Sequence, residues 1–361
     1  MRPAGMKLAV LAQGRDNNFN LIRILAALAV LCSHSFPLSH AGLADPLAAR
    51  LGMTAGSIAV DVFFITSGFL VTSSLMARAG LPRFFLARAL RVFPALWVML
   101  LLTVFVLGLS FTTQSASQYL ADAATHSYLR KCATLFRGVS YHLPGVFAGN
   151  PLPLAVNGSL WSLPVEVRMY TVLALLWLPL AMLKDSRRRA FALVTALLAI
   201  VACYLVVSTH LQMAKESPAL RLIFMFLTGA AYFCLRAYVP MRRGIFFGGA
   251  ALLLLASLHA TFFYVSYMLT LAYLVLYLAY VPGGAIRKFN RVGDYSYGVY
   301  IYAFPVQQSI AAMVPGISVP AMLGLAVAVT LPLAMLSWHL VEKRALRLKD
   351  RLLPGSAGSA G

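Results

Sequence analysis

Acidic residues are scarce in this chain. It has ten Asp and Glu among 361 residues, and charged residues of both signs make up only 11%. Soluble domains carry about 25% charged residues. A soluble fold is therefore excluded, the more so because 61% of the residues are hydrophobic and the mean hydropathy is +0.81. Strict alternation of apolar and polar residues is missing, which argues against a transmembrane β-barrel. The four cysteines, Cys32, Cys132, Cys203 and Cys234, form no CxxC pair and no metal-ligand spacing, so no metal is expected. Cys32, Cys203 and Cys234 lie in apolar runs, where a free thiol packs as a small hydrophobe. No internal repeat is present. No stretch near the start reads as a cleavable signal peptide, because the apolar part is short and turns polar at Arg15 and Asp16. The first spanning helix is expected to direct targeting.

What the chain does have is positive charge, +20 from 30 Lys and Arg. In a soluble protein that excess would suggest nucleic acid. Here it fits the enrichment of Lys and Arg in cytoplasmic loops of membrane proteins, and no nucleic-acid partner is expected. A spanning helix needs roughly 20 mostly apolar residues. Ten stretches qualify, at about 19–37, 56–77, 90–111, 159–182, 190–208, 219–236, 244–260, 262–281, 293–313 and 318–341. With the N-terminus inside, 22 Lys and Arg fall on the inner side, 5 on the outer side, and Arg23, Arg168 and Arg221 lie within spans. That asymmetry implies that both termini are cytoplasmic and that the number of spans is even. The expected fold is an all-α integral membrane domain of about ten helices, N-in and C-in, around an internal polar cavity. It covers residues 1–345, with 346–361 as a basic tail and flexible end. A loop at 112–158 is the one long connection, expected to cover the outer mouth.

Polar residues within such spans are functional candidates. Arg23 and His34 are eleven residues apart in NLIRILAALAVLCSH, so three helical turns put them on one face, roughly 16 Å apart along the axis. Asp61 and Glu166 each lie a few residues into a span that starts from the outside. With His34 they are expected at one depth, where a carboxylate could orient a general-base imidazole. Arg88 and Arg91 share a face at the inner end of the third span, as phosphate-binding forks or as topological anchors. Bases at one end and a reactive set further along suit a long ligand with an anionic head, the shape of an acyl-coenzyme A. A transporter or flippase would use the same groups as a translocation path, but paired broken helices are not visible.

These residues also fall into motifs. Arg23 and His34 form R-x10-H. Asp61, Ser67 and Gly68 lie in GSIAVDVFFITSGFL, and Arg88, Arg91 and Pro94 in RALRVFP. Trp161, Ser162 and Glu166 lie in SLWSLPVEVRMY, Tyr297 in GDYSYGVYIYAFP, and SWHLVEK closes the set. In this the chain resembles, nearly end to end, the integral membrane acyltransferase-3 family, whose members O-acetylate bacterial surface glycans and some small molecules. Two positions depart from the family pattern: Ala303 stands where many members have His, and Arg344 where many have Pro.

The resemblance implies an inner-membrane O-acyltransferase acting alone, without the hydrolase-like domain of larger members. Its donor would be acetyl-CoA from the cytoplasm. Its acceptor would be a hydroxyl of a lipid-linked or exported glycan, or of a small molecule. The expected catalytic residues are His34, Asp61 and Glu166, and the donor-binding residues Arg23, Arg88 and Arg91. Ser67, Trp161, Ser162 and Tyr297 are expected to support them. The expected partners are membrane lipid and the glycan acceptor.

Overall fold

A computed structural model describes residues 6–14, 16–40, 42–77, 80–215 and 217–352. The expected flexible end at 353–361 lies outside the described residues. Among those described, the chain is all-helical, apart from one isolated bridge between Lys7 and Pro240.

Each of the ten apolar stretches falls on a helix. These are α1 (Phe19–Ser39), α2 (Ala55–Met76), α3 (Gly80–Leu102), α4 (Leu163–Trp177), α5 (Arg187–Leu211), α6 (Pro218–Cys234), α7 (Arg243–Ala256), α8 (Ala260–Tyr280), α9 (Ser296–Met313) and α10 (Val319–Ser337). α3 runs on to Phe111, and α10 into Lys343–Leu352, each through a π-helical turn. Among the described residues, six helical segments are long and apolar enough to cross a membrane: Phe19–Ser39, Ala55–Met76, Gly80–Phe111, Arg187–Leu211, Ala260–Tyr280 and Val319–Leu348. The chain is thus a multi-pass helical protein.

The other four helices fall short for physical reasons. α4 has only 15 residues because the stretch around it is wound as 3-10 helix, Gly158–Ser162 before it and Pro179–Ser186 after it. α6 and α7 are apolar but short, with 17 and 14 residues. α9 carries three tyrosine hydroxyls, at Tyr297, Tyr300 and Tyr302, together with Gln307, Gln308 and Ser309, so its apolar character is diluted.

Close packing is set by small residues. A Cβ on Gly68 of α2 would lie 2.0 Å from the Phe226 carbonyl oxygen of α6, and one on Gly229 of α6 would lie 2.1 Å from that of Ile65. The two backbones therefore touch directly, as small residues permit between membrane helices. Gly298 does the same for α9 against α10, where a Cβ would meet Ala334 Cα at 2.8 Å. α1 lies between α2 and α9, so two largely buried helices flank the Arg23–His34 stripe.

Several polar groups inside this bundle are matched across helices. Pro305 lacks the N–H that would bond the Ile301 carbonyl in an unbroken helix. Asn157 Nδ2 donates to that carbonyl at 2.9 Å instead. Asn157 is fully buried and also caps the turn at Ser159, so the Asn-Gly-Ser sequence there is a structural corner. Gln307 donates to Leu31 O at 2.9 Å and Ser35 Oγ at 2.8 Å, joining α9 to α1. The long loop holds two short helices, Ala116–Ala121 and Ala123–Thr134. It is stitched to α9 through Asn150 and Gln308.

Candidate functional site

Two cavities flank the Arg23–His34 stripe of α1. The larger, of about 450 Å³, is lined by Ser33, His34, Asp45, Ser57, Trp161 and Arg221, among others. The smaller, of about 30 Å³, is lined by Arg23, Ser162, Glu166 and Tyr297, among others. Val60 and Tyr300 line both, so they stand between the two spaces. The eleven-residue spacing of Arg23 and His34 thus places one at each cavity.

Asp45 builds the floor of the larger cavity. It is buried and caps the short helix Pro46–Leu51 through Leu47 N at 2.9 Å. It also accepts from Ser33 Oγ at 2.6 Å and from Ala55 N at 2.8 Å. One carboxylate therefore joins α1, that short helix and the start of α2. His34 projects between these elements with its ring edge-to-face on Phe304, centroids 5.1 Å apart. Its Nδ1 is buried and has no hydrogen-bond partner.

The carboxylates expected to orient that imidazole are engaged elsewhere. Asp61 is fully buried, receiving Arg221 Nε at 3.2 Å and the Tyr267 hydroxyl at 2.8 Å. It reaches the larger cavity only through Arg221, which lines the wall. Glu166 faces the smaller cavity, where Oε1 accepts from Ser67 Oγ at 2.7 Å and the Tyr170 hydroxyl at 2.6 Å. The three groups surround the same region, but they do not form one hydrogen-bonded set. Trp161 lies on the His34 side and Ser162 on the Glu166 side, so the turn that carries them serves both cavities. The Tyr300 hydroxyl shares a 2.7 Å hydrogen bond with Ser162 Oγ and donates to Ser159 O at 2.7 Å. Tyr297 donates to Val92 O at 2.9 Å, tying α9 to α3.

The three arginines divide as well. Arg91 is paired with both Asp294 and Glu342, and its guanidinium lies over the rings of Tyr297 and Trp338 at 5.8 and 5.7 Å. Arg23 reaches Asp294 at 3.5 Å, lies over Phe63, and keeps a buried Nε without a partner. Arg88 likewise has a buried Nε without a partner. Two buried guanidinium donors left open suit a multiply charged anion, whereas Arg91 is already neutralised. Among the described residues no group of His, Cys, Asp and Glu is arranged to hold a metal.

Sequence reasoning did not assign Asp45, Arg221, Asp294 or Glu342 to the site. The signal was present for Arg221, one of three arginines inside a span. It was also present for the acids, since only ten exist in the chain.

The bundle carries an arginine and a histidine on one stripe of α1, and the comparisons with known proteins identify its class. A family model described as an acyltransferase domain matches residues 16–339, and the chain belongs to that family. It is 33% identical to an O-acetyl transferase of Shigella phage Sf6, over 92% of this chain and 96% of that protein. It is 29% identical to nodulation protein 10 of Rhizobium leguminosarum bv. viciae, over 95% of this chain and 96% of that protein. A 29% match to the peptidoglycan O-acetyltransferase OatA of Listeria monocytogenes covers 42% of this chain and 22% of that protein. No solved structure matches significantly. The chain is a multi-pass membrane acyltransferase that transfers groups other than aminoacyl groups.

Proposed function

We propose that the protein moves an acetyl group from acetyl-CoA on the cytoplasmic side to a hydroxyl of a lipid-linked or exported glycan. It would do so within the bacterial inner membrane, as a ten-span domain of about residues 1–345 with both termini inside. The observation that carries this reading is the pair of cavities meeting at Val60 and Tyr300, with Arg23 on one and His34 on the other. The names of the phage and Listeria relatives support O-acetylation and a glycan acceptor.

In this reading Arg23 and Arg88 hold the anionic part of the donor. Arg91, neutralised by Asp294 and Glu342, fixes the helices that carry them. The thioester then lies near the smaller cavity and the acceptor hydroxyl in the larger one. His34 takes the hydroxyl proton as the oxygen attacks the thioester carbonyl. The tetrahedral intermediate collapses with cleavage of the C–S bond. The departing thiolate recovers the proton from the imidazolium, leaving an ester and free CoA thiol. Asp61 acts through Arg221, whose positive charge lies in the wall beside the developing oxyanion. Glu166, held by Ser67 and Tyr170, bounds the donor side with Tyr297.

Deleting the gene and comparing surface glycan by NMR tests the assignment. An acetyl ester should disappear and return on complementation. An unchanged acetyl pattern in every surface glycan contradicts the glycan acceptor.

A further inference from the structure

The two cavities differ fifteenfold in size, about 30 Å³ against about 450 Å³, and the same two side chains stand between them. One of the two is fixed. The Tyr300 hydroxyl is held by Ser162 Oγ and Ser159 O, both at 2.7 Å, and its ring meets Phe63 edge-to-face at 5.7 Å. The other, Val60, is buried on α2 and makes no polar contact. A β-branched residue in a helix has one strongly preferred rotamer, so Val60 is a stiff blade facing a fixed ring. Space on the Arg23 side amounts to about two water positions. That suits an acyl group of very few atoms.

We infer that Val60, closing against Tyr300, limits the length of the acyl chain that can be transferred and makes the enzyme an acetyltransferase. The inference rests on the reading of an acyl-CoA donor bound at the Arg23 end. The bond chemistry is unchanged for any chain length: a C–S bond breaks, a C–O bond forms, and the hydroxyl proton ends on the thiol. What changes is whether the carbonyl carbon can reach the hydroxyl while its tail stays beside Val60. Neither residue needs to touch the reacting atoms, so Val60 is a specificity-determining residue.

The test uses membranes containing the full-length protein, supplied separately with acetyl-, propionyl- and butyryl-CoA. Ester formed on the glycan is measured by mass spectrometry, and released thiol is measured in parallel. Each added methylene in a tight apolar site discriminates by roughly 10-fold to 200-fold. Val60→Ala removes two methyl groups and should raise the butyryl-to-acetyl ratio at least about tenfold. Val60→Ile adds one and should lower the propionyl-to-acetyl ratio. Ratios are read within one preparation, so a variant that folds poorly still reports. Ratios equal to wild type in both variants overturn the inference. If wild type consumes no acyl-CoA at all while acetyl ester still forms in cells, the donor reading fails first and the inference falls with it.

Discussion

Arg91 sits between two carboxylates that sequence analysis did not assign to the site. It is expected from sequence to grip the donor, yet Asp294 and Glu342 already surround it. Glu342 is 1% exposed and accepts Arg91 Nη1 at 3.2 Å, and Arg91 itself is 13% exposed. Replacing Arg91 by alanine strands the buried Glu342 carboxylate and leaves Asp294 with the longer Arg23 contact at 3.5 Å. Removing one partner of a buried ion pair costs roughly 3–5 kcal/mol, because the remaining charge keeps its desolvation penalty without compensation. Arg91→Ala should therefore lose about that much stability, measured by denaturant titration in detergent micelles. Adding Glu342→Gln should recover part of the loss, since the amide carries no net charge. The resulting coupling should be on the order of 1–3 kcal/mol. Arg88→Ala, which breaks no direct ion pair, should move the titration much less while weakening acetyl-CoA binding. If Arg91→Ala unfolds like wild type and loses only donor affinity, the guanidinium is a direct ligand and the electrostatic reasoning is wrong.

Further outcomes can be checked directly. His34→Ala should abolish acyl transfer in vivo while expression and membrane insertion persist; near-normal glycan acetylation would remove His34 from the chemistry. Ser57→Cys, in the wall of the His34 cavity, should react with a membrane-impermeant thiol reagent added outside, whereas labelling only from the cytoplasmic side would reverse the topology. Ser35 cannot serve as that probe, being fully buried against Gln307. Cys132 should stay unlabelled in the same experiment, because burial pushes its thiol up to about 11. Gly229→Leu should prevent stable folding, since even its Cβ would overlap the Ile65 carbonyl, and this is checked by detergent-soluble yield and size-exclusion profile.

Much of the architecture was legible because hydrophobic length is so direct a signal. All ten stretches fell on helices, and the break expected between the stretches 244–260 and 262–281 is a three-residue turn between Ala256 and Ala260. The length of α4 was not legible. Its start is wound as 3-10 helix by the Asn157 cap, a tertiary bond to a carbonyl that Pro305 frees far along the chain. The stripe of Arg23 and His34 followed from helical periodicity alone. Pairing between helices did not, because periodicity fixes faces and leaves partners open. Asp61 found Arg221 and Tyr267, and Arg91 found Asp294 and Glu342, across separations that no local pattern encodes.

The most direct test of acyl transfer through this bundle uses purified protein reconstituted into sealed vesicles with a glycan acceptor inside. Protein is oriented so that its basic loops face out, and acetyl-CoA carrying a labelled acetyl group is added outside. Label should appear on the enclosed glycan as an alkali-labile ester, with one CoA thiol released outside per ester formed, and His34→Ala should give neither. Ester formed only when donor and acceptor share one side of the membrane would contradict delivery through the two cavities.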